Sequence, residues 1–346
     1  MKTITSTTVD QGGYASNETI STVHPDILHS HILIRLDGPS LAALACSSSH
    51  LHALSSEENL WQNICSSTWP SVNHPRLQKI ISAFPSGHRS FFSDAFPFLD
   101  LQPLKLNVNS LTLPTELISA VDISYRNKIV YSKVEEMETS SSWFLCSPFR
   151  VDLLDPKDSA PTPIKYFGGS NKVDTWLKHL EENLTLSWIV IDPSRKKAAV
   201  NMSSRRAVSV KRHWLTGDVQ VRFGMVMGGG GRRGSSRELV ECGVVVTCVG
   251  KEGGEMHVRE VSMVMEDMEG KGLNGKDSLV ILEGVMENGR RKKGNGNEGK
   301  ERYEEFGERK RERKERRQRK ERALDLVCIS IGVAGFVTFW SAMLFR

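Results

Sequence analysis

The sequence predicts an α+β protein, and three observations carry that expectation. Apolar residues recur at helical spacing from Pro25 to about residue 100. Between 103 and 287 they alternate or run together as strands do, broken by glycine clusters. After a dense run of charge, Leu326 to Phe345 forms a stretch of twenty residues with no charge at all. The expected order is a polar, disordered segment at 1–22, a three-helix module at 23–70 and a helical linker at 71–102. A β-rich antiparallel domain comes next at 103–287, then a charged low-complexity linker at 288–322 and a single membrane-spanning helix at 323–346.

The first helix is read from Ile27, Leu28, Ile32, Leu33 and Leu36, the stripe of an amphipathic helix, with Pro25 suited to its first turn. Asp37-Gly38-Pro39 is expected to stop it, because glycine favours a helix end and proline cannot continue one. Ser40 is expected to cap a second helix at 41–46. A third lies around Leu51 and Leu54, and Leu60-Trp61 closes the module. Three short helices bury too little surface to be stable alone, so such a piece needs a neighbour or a partner.

His24-Pro25-Asp26-Ile27-Leu28, Ile32-Leu33, Leu36, Ser40-Leu41, Ala45-Cys46 and Leu60-Trp61 together resemble an F-box. The spacing and most apolar anchors are kept, while His24, Ile27, Ser40 and Ala45 depart from the family pattern. Trp69-Pro70-Ser71 and the phenylalanines from Phe91 to Phe98 resemble the continuation found in plant F-box proteins. Ser187-Trp188-Ile189-Val190-Ile191-Asp192 and His213-Trp214-Leu215-Thr216-Gly217-Asp218 extend the likeness, to about residue 225. The resemblance implies helix-in-groove docking on a Skp-type adaptor and, through it, a cullin. It points to Pro25, Leu28, Ile32, Leu33, Leu36 and Leu41 as the adaptor-facing set, some of which would instead form the module's own core.

In the middle region Leu186 to Ile191 reads as a buried strand. Val219, Val221, Phe223, Met225 and Met227 alternate strictly, the mark of a half-buried one. Val244-Val245-Val246, the run from Met256 to Met265, and Leu279-Val280-Ile281-Leu282 are read as further strands, with turns at Thr216-Gly217-Asp218 and Gly253-Gly254. An antiparallel sheet, folded into a sandwich, is expected to hold an unknown protein target. Trp188 and Trp214 are read as core, and Lys211-Arg212-His213 as a solvated strand face. Gly228 to Gly234 lacks the ending of a phosphate loop and is read as a flexible insertion.

Ten Lys/Arg against four Glu lie between Glu308 and Arg322, a local excess larger than the chain's whole net charge of +5. The rest is near neutral, which argues against a nucleic-acid-binding surface. Six scattered cysteines form no Cys-x-x-Cys pair, so no metal site is expected, and they are read as thiols of a reducing compartment. The Ser/Thr-rich start lacks a signal peptide's apolar run. Twenty uncharged residues match the roughly 30 Å hydrocarbon core, with Trp340 toward one interface. The basic run keeps its side in the cytosol. The expectation is a tail anchor with the bulk of the chain in the cytosol, on an endomembrane or the nuclear envelope. Residues 299–322 are expected to form a solvated helix laced with ion pairs.

No Gly-x-Ser-x-Gly, His-Glu-x-x-His or Walker run occurs, and His29, His31, His50 and His52 straddle helix faces. No catalytic residue and no cofactor are expected. The leading expectation is a non-catalytic substrate receptor of a ubiquitin ligase. The alternative is a membrane-tethered interaction module whose F-box does not recruit a cullin.

Overall fold

A computed structural model describes residues 23–96, 98–99, 113–167, 173–198, 201–231, 235–289, 291–292 and 298–345. The expected disorder at 1–22 lies outside them, as do Arg232 to Gly234. The chain divides into two compact units after Ile64.

The first unit is helical. His24 caps α1 (Pro25–Ile27), its Nδ1 accepting from the Asp26 N–H. The helix then widens to a π turn at Leu28–Ile32 and tightens to a 3-10 turn at Leu33–Arg35. Asp37 does more than end this segment. Its Oδ1 accepts from the Ser40 N–H at 3.0 Å and caps α2 (Gly38–Ala45). The cap is therefore Asp37, not Ser40, because Gly38 and Pro39 fit the first turn, where proline costs no hydrogen bond. Ser48 caps α3 (Ser49–Ser55), and α4 (Glu58–Thr68) carries Trp61, whose Nε1 donates to the Ser55 carbonyl at 2.7 Å.

In the second unit a 3-10 turn at Pro70–Asn73 leads to α5 (Pro75–Ser82) and α6 (Gly87–Ala95). Trp69 packs edge-on against Phe91 at 5.8 Å and beside Phe92. The linker is therefore folded, and it is bonded to Asp122, about fifty residues further along the chain. The Ser71 N–H and Oγ donate to the two carboxylate oxygens of Asp122 at 2.9 and 2.6 Å.

After β1 (Phe98–Leu99), β2 (Glu116–Tyr125) and β3 (Lys128–Glu138) form a hairpin. Its turn residues Arg126 and Asn127 both sit at positive φ, the geometry that matches strand twist. Next come α7 (Ser142–Cys146), β4 (Arg150–Asp152), β5 (Ala160–Lys165), α8 (Val173–Asn183), β6 (Leu184–Asp192) and β7 (Lys197–Ala198). Beyond these lie β8 (Ser209–Arg212), β9 (Val219–Gly228), β10 (Leu239–Gly250), β11 (Glu255–Asp267), α9 (Gly275–Asn288) and β12 (Arg291–Lys292). One sheet runs β3-β2-β6-β7. The other runs β4-β11-β10-β9-β8, with β5 also on β11, and β1 pairs with β12. One cluster that includes Val121, Trp188, Phe223, Val244 and Met263 joins the two sheets, which makes the expected sandwich.

The alternation in β9 holds, with Val219, Val221, Phe223, Met225 and Met227 all buried. Two readings fail. Leu279 to Leu282 is no strand but part of α9, capped by Asn274 through the Asp277 N–H at 2.7 Å. A four-residue apolar run carries no period of its own. Leu279, Leu282, Val285 and Met286, all buried, supply the helical one. Trp214 is not core but 88% exposed.

The last helix, α10 (Glu298–Leu344), is 47 residues long. Its charged half is not freely solvated throughout. Phe306 is buried with Val226, Leu239 and Met268 on the outer face of the second sheet, and Tyr303 packs beside it. Gly224 leaves the room, since a Cβ there would overlap the Tyr303 ring. Further along, pairs such as Arg309–Glu305, Arg317–Glu321 and Arg319–Glu315 do lace the helix. From Leu324 to Phe345 its large apolar residues are exposed, and the helix is long and apolar enough to cross a membrane.

Candidate functional site

Burial sorts the predicted adaptor-facing residues into two groups. Leu28, Leu33 and Leu41 are at most 1% exposed, so no partner reaches them in the chain as folded. Pro25 and Ile32 are exposed and Leu36 is half-buried. Ile27 and Ile34, which the sequence pattern did not single out for this role, are each at least half exposed. The switch from α to π to 3-10 winding explains the shift. A regular 3.6-residue period would put Leu28 and Ile32 on one face, and the wider turn separates them. The outcome is an exposed apolar strip of Pro25, Ile27, Ile32 and Ile34, three of them isoleucines on a short segment. His29 is held at its edge by Glu57, with Nε2 to Oε2 at 2.9 Å.

The second unit offers a different surface. A groove of about 700 Å³ opens where β3, β4, the 153–156 loop and the ends of β9, β10 and β11 meet. Its walls are charged but largely committed. Arg150 donates to Asp152 at 2.8 Å and to Glu260 at 3.0 Å, and those partners, Asp152 first, raise its pKa further. Glu260 also accepts from Thr247 and Ser262. Lys133 lies 3.0 Å from Glu135 and donates to the Leu153 carbonyl.

At the rim stands the β8–β9 turn. His213 N–H donates to the Asp218 carbonyl at 2.7 Å, and Gly217 N–H donates back to the His213 carbonyl. Gly217 takes φ +78°, and its carbonyl accepts from the Tyr166 hydroxyl at 2.7 Å. These bonds hold the turn from within and from behind, so that Trp214 and Leu215 project into solvent at 88% and 71% exposure. A large aromatic held open by its own turn is unusual, because burial of such a ring is worth several times the thermal energy. Trp188, by contrast, is wholly buried in β6. The sequence signal for the exposed one was its place between Arg212 and Thr216-Gly217, inside a turn and outside any alternating run.

Among the described residues no group of three or more His, Cys, Asp or Glu is placed to hold a metal ion. Cys242 and Cys248 are enclosed in the sandwich, and burial raises both thiols, Cys248 to about 12. They are therefore poor nucleophiles.

A helical unit with an exposed apolar strip, and after it a sandwich with its own open groove, define the class of α+β protein to which the chain belongs. The comparisons give that class its family. The chain is 47% identical over 346 residues to F-box protein At2g27310 of Arabidopsis thaliana, covering 96% of this chain and 98% of the relative. It is 47% identical to two more proteins of that plant. One is F-box protein At3g44326, over 86% of this chain and 82% of the relative. The other is Probable F-box protein At2g36090, over 92% and 91%. The chain belongs to the plant F-box proteins. No family model and no solved structure matches it.

Proposed function

We propose that this chain is the substrate receptor of a Skp–cullin–F-box ubiquitin ligase, tethered to a membrane by α10. Membership of the F-box family supports the coarse role, and the exposed strip on the first unit is the observation that carries the finer one. Pro25, Ile27, Ile32, Ile34 and Leu36 enter the adaptor's groove, while Leu28, Leu33 and Leu41 hold the helices that present them. The sandwich holds the target protein at the charged groove, with Trp214 and Leu215 as its apolar anchors. The uncharged end of α10 spans the bilayer, and the basic run before it keeps both partner-binding units in the cytosol.

A membrane-tethered interaction module without a cullin is the second reading, and Ile27 is what favours it. It is one of the four departures from the family pattern, and it is half exposed. One experiment separates the two. Full-length chain is affinity-purified beside an Ile34→Asp variant, changed at a residue that is 54% exposed and therefore tolerant of the change. Recovery of a Skp-type adaptor and a cullin by the native chain, with loss of both from the variant, supports the receptor. If the native chain recovers neither, the second reading replaces it.

A further inference from the structure

The anchor and the sandwich are not joined by a free tether. Tyr303, Phe306, Lys310, Arg313 and Arg317 form one stripe along α10, at the three- and four-residue steps that share a helix face. Each is tied to the second sheet or its loops. The Tyr303 hydroxyl donates to Glu241 at 2.9 Å, and Lys310 lies 3.3 Å from Glu241 and 3.5 Å from Glu266. Arg313 donates to the Ser235 carbonyl at 2.7 Å, and Arg317 pairs with Glu269 at 3.3 Å. Lys300 meets Glu181 of α8. The contacts therefore progress from the middle of β9 and β10 to the loops at 235 and 267–270, and the helix leaves the sheet at that end. It continues unbroken into the apolar stretch.

The groove lies at the opposite end of the same strands, at Asp218 and Gln220, Thr247, Arg259 and Glu260. From Arg317 to Leu326, nine helical residues span about 14 Å. From Glu260 to Asp267 along β11, seven strand residues span roughly 23 Å. The groove is thus within roughly 40 Å of the hydrocarbon edge.

We propose that Lys300 to Arg317 is a docked strut that stands the sandwich on the bilayer with its groove at the far end. The target class is then proteins of the same membrane, whose cytosolic segments rise to that fixed height. This rests on the membrane-anchored receptor reading. A receptor held by a flexible linker samples a wide shell, whereas a strut concentrates the groove in one thin layer above the membrane.

The test places a donor dye at Trp214→Cys, with Cys46, Cys146 and Cys328 changed to Ser. The full chain is reconstituted in phosphatidylcholine–phosphatidylserine vesicles that carry an acceptor-labelled lipid. The strut gives a single narrow donor–acceptor distance distribution. Tyr303→Ala/Phe306→Ala broadens it, and four helix-forming residues inserted after Gln318 lengthen it by about 6 Å. A chain that floats with the vesicles but shows a broad distribution, unchanged by the double variant, overturns the strut and leaves the membrane reading standing. A chain that does not float removes both. A photo-crosslinker at Leu215 in living cells reads the target class: integral membrane proteins support it, and a catch dominated by soluble proteins overturns it.

Discussion

Removing the Ser71 hydroxyl tests whether the Trp69-Pro70-Ser71 segment latches the helical linker to the sandwich. Asp122 is 3% exposed, and its two oxygens receive the Ser71 N–H, the Ser71 hydroxyl and the Ser132 hydroxyl. Ser71→Ala deletes one charge-assisted bond and leaves the backbone one, a loss of about 2 kcal/mol. For a folded unit of this size that lowers Tm by roughly 4–8 °C. In an Asp122→Asn background the same change costs about 1 kcal/mol, because the acceptor is then neutral. The assay is thermal unfolding of the four proteins of the cycle in one detergent, monitored by tryptophan fluorescence. Burial outweighs the three hydrogen bonds and raises the Asp122 pKa above 3.8. The native state therefore keeps a proton that the unfolded state has released, and stability falls as pH rises from the unfolded value through the native one. Asp122→Asn abolishes that slope. A Ser71→Ala loss below about 0.5 kcal/mol, additive with Asp122→Asn, would refute the latch.

Two close contacts give further expected outcomes. Gly275→Ala drives a Cβ into the Phe144 carbonyl and ring, and should cost about 1–3 kcal/mol in the same unfolding assay; an unchanged Tm would mean that α7 and α9 do not meet as described. Tyr303 has its pKa pushed up to about 12 by burial and then by Glu241. The unfolded tyrosine ionises first, so this residue makes stability fall from about pH 10 to its folded pKa, and Tyr303→Phe removes that fall. Absorbance titration near 295 nm checks it. Tyr131, also raised to about 12, remains as the late-titrating tyrosine in the variant.

Much of the fold was legible in the residues because it depends on local period. The alternation from Val219 to Met227 and the run from Leu186 to Ile191 are strands because every second or every residue had to be buried. The residues from His24 to Trp61 carried the resemblance to an F-box, and the relatives bear that family out. The features that stayed hidden depend on contacts distant in sequence. Nothing near Asp122 says that its partner is Ser71. Nothing in Leu279 to Leu282 tells strand from helix until the Asn274 cap and Val285 are counted in. Val226 is buried against the alternation because Phe306 covers it from outside, and the signal was faint: two aromatics, Tyr303 and Phe306, in a run otherwise made of charge. The exposed apolar strip was half legible, since the sequence marks an apolar helix but not the π turn that decides which side chains face out.

The pairing of β1 with β12 has an architectural consequence. Phe98 lies opposite Lys292 and Leu99 opposite Arg291, so the backbone enters and leaves the sandwich side by side, about 5 Å apart. All that lies between is a closed loop on a two-stranded stem. A sandwich of any other origin whose ends meet at that spacing fits the same stem, but it would forfeit the Ser71–Asp122 bonds on one side and the Tyr303 and Phe306 contacts of α10 on the other. The chain is in this respect a socket, whose sandwich can be exchanged only together with the surfaces that grip α10 and Ser71.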